Sequence, residues 1–329
     1  MVKIVRFHTT GSADVLKLED LPTPEPGEGE VRLKVEAIGL NRAEIMFREG
    51  QYLEIPNFPS LLGYEAAGFI DAVGAGVSGI QVGDKVSTIP AFSMKQYGVY
   101  GESAVVPVHA VATYPENLSA QEGASIWMQY LTAYGALIEN GQLKPQDYVL
   151  ISAASSSVGY AAIQIVKATG AIAIATTRTS AKKQILLDGG ADYVIVTDEE
   201  DLPSRVMEIT SGHGADLIFD PVAGPLLETL AQAAARGATI FEYGALSLAP
   251  TPFPLMAALQ KSLTIRGYTL FEITSNPEKL DRGKRYVYDN LQSGTLKPVI
   301  DRTFPLDNIV EAHRYMESNQ QNGKIVVTV

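Results

Sequence analysis

The stretch Ser152-Ala153-Ala154-Ser155-Ser156-Ser157-Val158-Gly159 has the composition of a turn that can lie against a phosphate. It follows the apolar run YVLIS and leads into an amphipathic segment, so it joins a strand to a helix. In such a crossover the turn residues must be small, because backbone amides approach a pyrophosphate closely while the helix N-terminus stabilises its charge. Ala154, Ser156 and Gly159 fall on the three positions of the G-x-G-x-x-G fingerprint, with the first two glycines replaced by small residues. The serine hydroxyls add donors toward phosphate. A serine-rich helix cap is the alternative use of the same residues.

The ribose of a dinucleotide is read at the end of the second strand, where NAD-binding chains place an acid about 20 residues after the turn. Here the strand AIAIA runs into Thr176-Thr177-Arg178-Thr179-Ser180, with no acid. Arg178, Lys182 and Lys183 can contact a 2′-phosphate and Thr177 can add a hydroxyl, which points to NADPH. For the two lysines, solvated helix charge is the alternative. Val222, after Asp220-Pro221, and Tyr243-Gly244, closing TIFEYG, stand at strand ends where a parallel sheet presents its edge to ligand. Chain turning explains them equally well. Asp220 and Glu65 border apolar segments and read as hydrogen-bond acceptors more readily than as bases. Phe271 can line a substrate pocket, whereas Trp127, Met128 and Tyr130 have the spacing of helix core.

The elements that must hold these residues alternate from Tyr148 onward: YVLIS, a helix from Val158, AIAIAT, a helix after Ser180, YVIV, LIFD, a helix after Pro225, and ATIFEYG. Repeated units of this length predict a parallel, doubly wound sheet, with Gly170 and Gly189-Gly190 at helix C-caps. The first third instead shows short strands (Val2 to Phe7, Glu30 to Ile38, Phe69 to Val73, Lys85 to Ile89) separated by Pro/Gly turns. Ser119 and Glu122 form a capping box that opens a helix through about Glu139. The expected organisation is a dinucleotide-binding domain, 123–263, inserted in a mostly β domain built from 1–122 and 264–329.

A chain of 329 residues exceeds one ordinary core, which favours two domains sharing a cleft. With 26 Lys plus Arg against 37 Asp plus Glu, the net charge of −11 repels phosphate backbones and anionic lipid, so neither nucleic acid nor a membrane is expected as partner. No segment reaches a spanning length and the N-terminus has no apolar h-region, so a cytoplasmic location is expected. The absence of cysteine removes thiol nucleophiles, disulfides and thiolate zinc sites. His8, His109, His213 and His313 are scattered, so no metal is expected.

Gly63-Tyr64-Glu65-Ala66-Ala67-Gly68, then Val73-Gly74-Ala75-Gly76-Val77 and Gly83-Asp84-Lys85-Val86, resembles the signature of medium-chain dehydrogenase/reductases, and the likeness runs from SADVLKLED to the closing GKIVV. The resemblance implies a Rossmann-type α/β domain inserted in a GroES-like catalytic domain. Zinc-dependent members place a Cys after an early Ala-x-Gly and a His inside the later signature; here those positions hold Asn41 and Tyr64. The chain therefore resembles the zinc-free quinone oxidoreductases of the zeta-crystallin type and the enoyl reductases, although its serine run departs from their usual Ala-Ala-Gly-Gly-Val-Gly loop.

That resemblance implies hydride transfer from NADPH to a quinone, an enone or an enoyl thioester by a homodimer. It places Asn41 and Thr132 near the nicotinamide, and Tyr52, of Gly50-Gln51-Tyr52, as a hydrogen-bond or proton donor to a substrate that Tyr64 and Phe271 would also line. Two other functions fit the same pattern: a tailoring reductase acting on carrier-bound enoyl thioesters, and an NADPH-binding crystallin-like protein whose catalysis has lapsed.

Overall fold

Along Glu30–Gly39 the sequence EVRLKVEAIG alternates between core and solvent, as a strand with one buried face must. In the computed structural model, which describes residues 1–329, this strand centres a seven-stranded sheet. Its neighbours run in the order Ile300–Pro305, Lys324–Thr328, Glu30–Gly39, Glu65–Val73, Lys85–Thr88, Val111–Thr113, with Ser103–Pro107 also paired to the central strand. The chain's last strand pairs antiparallel with it, Val326 opposite Gly39. This register brings Lys324 beside the residues that follow Gly39. Met1–Met128 and Pro298–Val329 together form this unit.

Gln129–Lys297 form the second unit. Its six parallel strands lie in the order Tyr193–Val196, Ile172–Thr177, Tyr148–Ile151, Ala215–Asp220, Ala234–Glu242, Thr264–Gly267. The strands are apolar on both faces because helices cover both, and Leu150, Ile174, Ile195, Ile218 and Ile240 form a core with Leu227, Leu230 and Ala231. The chain thus holds a Rossmann-like parallel sheet unit and a GroES-like sheet unit.

Two expectations change. The chain returns to the first unit at 297/298 rather than at 263/264, because Thr264–Gly267 adds as the sixth parallel strand against Ala234–Glu242 and the helix Pro277–Gln292 stays with it. The expected helix from Ser119 to Glu139 is three pieces, Ala120–Gly123, Trp127–Tyr134 and a π-helical Gly135–Asn140. Its capping box is present, with Glu122 N donating to Ser119 Oγ at 3.2 Å and Ser119 N to Glu122 Oε2 at 2.9 Å. No helix is long and apolar enough to cross a membrane.

Candidate active site

The strand order places a topological switch between Tyr148–Ile151 and Ala215–Asp220, the position where parallel α/β sheets take nucleotides. The serine crossover begins there. Ala153 adopts φ +46°, Ala154 is buried, and Ser156 caps the helix Ser157–Thr169 by accepting from Gly159 N at 3.0 Å. A Cβ at Gly159 would come within 2.4 Å of Ala154 O, so only glycine lets the helix approach the turn. Ser155, Ser157 and Val158 are half-buried around the exposed rim of the turn. Lys182 Nζ donates to Ser155 Oγ at 3.1 Å, which ties the basic segment after the second strand to the crossover. Thr177 ends that strand and Arg178 follows it, exposed. Lys183 stands 4.0 Å from Glu200 and belongs to the solvated face.

The neighbouring strand ends are tied together by Asp220. Its carboxylate accepts from Ser152 Oγ and, at 2.7 Å, from Ala223 N, while its carbonyl accepts from Tyr243 N at 2.9 Å. Tyr243 stacks on Phe219 at 3.9 Å between centroids, and a Cβ on Gly244 would meet Pro221 O at 2.7 Å. Val222 O accepts from Ser247 N at 2.9 Å. Burial, with the charge of Asp220 second, pushes the Glu242 carboxyl up to about 9.

In the β unit, Asn41 opens the helix Arg42–Arg48 and is buried. Its amide is fully engaged: Nδ2 donates to Gly39 O at 3.2 Å and to Glu44 Oε1 at 3.1 Å, and Oδ1 accepts from Lys324 Nζ at 2.6 Å. Lys324 also donates to Glu65 Oε2 at 2.5 Å, and Glu65 Oε1 accepts from Met128 N at 2.9 Å. Glu44 accepts further from Asn41 N at 2.6 Å, Tyr64 N at 3.0 Å and Tyr100 Oη at 2.7 Å. Burial raises its pKa, opposed by the hydrogen bonds from Tyr100 and Asn41 and by the Lys324 charge.

The network continues inward. Arg48 Nη1 donates to His313 Nδ1 at 3.0 Å, which leaves His313 Nε2–H to donate to Tyr100 Oη at 3.2 Å. Burial, then the Arg48 charge, pushes this imidazole down to about 3, so it is neutral. Arg48 itself is balanced by Glu317 at 2.5 Å and Glu49 at 3.1 Å.

Tyr64 is fully buried, its ring 5.5 Å from that of Phe92. Tyr52 is half-buried, edge-on to Phe47 at 6.4 Å. Burial pushes Tyr52 up to about 12 and Tyr64 further. No group of three or more His, Asp or Glu side chains is placed to hold a metal ion.

Two family models match this chain: "Alcohol dehydrogenase GroES-like domain" over residues 27–116 and "Zinc-binding dehydrogenase" over 189–327. Human quinone oxidoreductase is 32% identical over 330 residues, covering 99% of this chain and 98% of the relative. The 2-haloacrylate reductase of a Burkholderia species is 29% identical, covering 99% of both chains. The solved structure of Escherichia coli quinone oxidoreductase complexed with NADPH has a TM-score of 0.91 at 30% identity, covering 99% of this chain and 100% of that one. The chain belongs to the zinc-free quinone oxidoreductase branch of the medium-chain dehydrogenase/reductases.

As a member of the quinone oxidoreductase branch it is an NADPH-dependent oxidoreductase, and its own residues fit that cofactor. The crossover holds nothing bulkier than serine between Ser152 and Ser157, a helix of 13 residues starts from it, and Lys182 is drawn to its rim. The residues singled out in the sequence fall into two sets. Ala154 to Gly159, Thr177, Arg178, Lys182, Val222, Tyr243 and Gly244 gather at the C-terminal ends of the parallel strands; the same unit holds buried Thr132 and half-buried Phe271. Asn41, Tyr52 and Tyr64 belong to the β unit, where Glu44 links Asn41 to Tyr64.

Glu44, Tyr100, Arg48 and Lys324 escaped the sequence reading, and His313, considered there only as a metal ligand, is instead part of their network. Asn41 and Glu44 do have capping-box spacing, which could have flagged the first of them. The others are joined only by the fold.

Proposed function

We propose that this chain reduces a conjugated small molecule, a quinone or a polarised C=C of the enone or enoyl type, with NADPH as hydride source and Tyr52 as proton donor. The observation that carries this reading is that phenols stand in the β unit where a metal ligand would: Tyr64 is buried at the position where zinc-dependent members hold a metal ligand, and Tyr52 is half-buried with its ring against Phe47. The chain thus offers an O–H acid there. With its hydroxyl pushed up to about 12, Tyr52 is protonated at neutral pH and ready to donate.

When bound, the cofactor supplies the hydride. The protein's residues bind and orient. Free amides of the turn from Ala154 to Val158 and the hydroxyls of Ser155 to Ser157 would hold the pyrophosphate at the helix N-terminus, with Gly159 allowing its close approach; Thr177, Arg178 and Lys182 would take the 2′-phosphate. Thr132, Val222, Tyr243, Gly244 and Asn41 are assigned to the nicotinamide end, and Phe271, Tyr52 and Tyr64 to the substrate. Asn41 acts through position, since both ends of its amide are engaged. The human relative named for quinones and the Burkholderia relative named for 2-haloacrylate both support an electron-poor conjugated acceptor.

A homodimer is part of the proposal. Leu246, Leu248, Phe253, Leu255, Met256 and Leu259 are exposed in the segment leading into Thr264–Gly267, whose outer edge is unpaired within the chain. Pairing that edge with the same strand of a second copy would cover both features. Light scattering at micromolar concentration tests it, a monomer mass being the contrary result.

The function is tested by NADPH binding through fluorescence quenching and by NADPH oxidation over quinones, enones and enoyl thioesters, free and carrier-linked. Turnover of free acceptors is expected. Binding with no turnover would leave the lapsed, crystallin-like alternative, turnover of carrier-linked substrates alone would leave the tailoring reductase, and no binding would overturn all three.

A further inference from the structure

A primary amide has two N–H donors and an oxygen with two lone pairs, so what it can offer a ligand depends on which of these the protein already holds. For Asn41 the fold decides this. Lys324 has donors and no acceptor, and its Nζ stands 2.6 Å from one end of the amide, which makes that end Oδ1. Gly39 O only accepts, and it lies 3.2 Å from the other end, which makes that end Nδ2. The two assignments agree, and Glu44 Oε1 takes an Nδ2 hydrogen at 3.1 Å. Both donors of the amide are engaged. Its remaining capacity is one lone pair on Oδ1.

Separate segments build this clamp. Lys324 opens the closing strand, Lys324–Thr328, whose Val326 pairs with Gly39. A Cβ at Gly39 would meet Lys324 Cε at 2.8 Å and Ala124 O at 1.9 Å, so glycine is what lets the lysine stem pass. The ammonium is wholly buried and its other contact is Glu65 Oε2 at 2.5 Å. Glu65 is buried too, with Oε1 accepting from Met128 N at 2.9 Å. Without the ammonium, that carboxylate would stand uncompensated beside Asn41, and the nearest donor it could recruit is the Asn41 amide nitrogen. Lys324 therefore both faces the amide oxygen and keeps Glu65 from turning the amide over.

We propose that Lys324 is the positioning residue of Asn41: it holds the amide with its oxygen as the one group open to ligand, so that Asn41 accepts from a ligand O–H or N–H and donates nothing to negative charge on the acceptor being reduced. This rests on the assignment of Asn41 to the nicotinamide end proposed above. That half of NADPH carries both kinds of donor, hydroxyls on its ribose and N–H on its carboxamide. An asparagine with a free N–H can instead serve a developing oxyanion. Asn41 has no such hydrogen left.

The test titrates the full chain, by fluorescence, with NADPH and with analogues that lack the 2′- or the 3′-hydroxyl of the nicotinamide ribose or carry acetyl in place of the carboxamide. The wild type is expected to bind at least one analogue about 3- to 10-fold more weakly than NADPH, the scale of one hydrogen bond. Lys324→Met is expected to erase that difference, and Lys324→Arg, which keeps donors for Asn41 and Glu65, to restore it. Asn41→Asp, an acceptor at both ends, is expected to keep the difference, and serves if Lys324→Met does not fold. Equal binding of all analogues by the wild type, a difference that survives in Lys324→Met, or one lost in Asn41→Asp overturns the proposal. In the ligand-free chain, Overhauser contacts of the Asn41 Nδ2 hydrogens are expected with the Glu44 side chain in the wild type and with the Glu65 side chain in Lys324→Met; contacts that stay with Glu44 in that variant overturn the part given to Lys324. A wild type that binds no NADPH would sink the reductase function instead, since this NMR measurement needs no ligand.

Discussion

Lys324 Nζ donates to Asn41 Oδ1 at 2.6 Å across 283 positions of sequence, and to Glu65 Oε2 at 2.5 Å, with its side chain wholly buried. One ammonium therefore fixes the end of the central strand, the start of the helix that carries Glu44 and the signature strand at once. Because the register Val326 opposite Gly39 delivers it, the closing strand is part of the site's scaffold.

Lys324→Met leaves the Glu65 carboxylate buried without its cation and releases Asn41. Removing one partner of a buried pair costs about 3–5 kcal/mol, so the variant should unfold at distinctly lower urea. Adding Glu65→Gln should recover part of that loss, because the uncompensated charge is gone. A double variant no more stable than Lys324→Met would show that Lys324 acts mainly through Asn41.

His313 gives acid sensitivity of a definite sign. Its folded-state value is about 3, lowered by burial and by Arg48 from the ordinary 6.5, so the unfolded chain binds a proton the native state refuses. The stability this residue contributes is present above about 6.5 and is lost as pH falls toward about 3. His313→Gln keeps an amide near Tyr100 without a titrating ring, and should flatten the urea midpoint over that window. An unaltered slope would mean the acid lability comes from other groups.

Glu242 works in the other direction. Its carboxyl is raised from 4.5 to about 9, so the native state holds a proton that the unfolded chain releases. Stability is fully present below about 4.5 and declines as pH rises toward 9. Glu242→Gln removes the titration while keeping the neutral shape beside Asp220. We expect melting temperatures that converge with the parent at pH 5 and exceed it by a few degrees, roughly 1 kcal/mol, at pH 8.5.

These three residues also show what the sequence could and could not reveal. The crossover Ser152–Gly159 was legible because its signal is local: a strand, a small-residue turn and a helix start in consecutive positions. The six parallel strands were legible for the same reason, one apolar run at a time. Thr264–Gly267 was misassigned because only its pairing with Ala234–Glu242 shows which sheet it joins, and pairing has no local signature. The network from Arg48 through His313 and Tyr100 to Glu44 spans separations of 265, 213 and 56 positions, and each member alone looks like an ordinary surface or core residue. The break in the helix after Gly123 was hidden because apolar spacing continues through it while Ser125 turns its hydroxyl back to Gln121 O at 2.8 Å.

Cofactor choice should separate Arg178 from Lys182. Arg178 is exposed at the end of the second strand, so its role, if the 2′-phosphate lies there, is toward that group alone. Arg178→Ala should weaken NADPH binding by roughly 10- to 100-fold, the worth of one charge-assisted bond, and leave NADH affinity nearly unchanged. Lys182 also holds Ser155 in the pyrophosphate turn at 3.1 Å. Lys182→Ala should therefore weaken NADPH and NADH together and shift the preference less. Fluorescence titrations of both nucleotides against both variants decide the matter: if Arg178→Ala lowers the two affinities equally, the basic segment holds the pyrophosphate and the preference for the phosphorylated cofactor must come from elsewhere in the second unit.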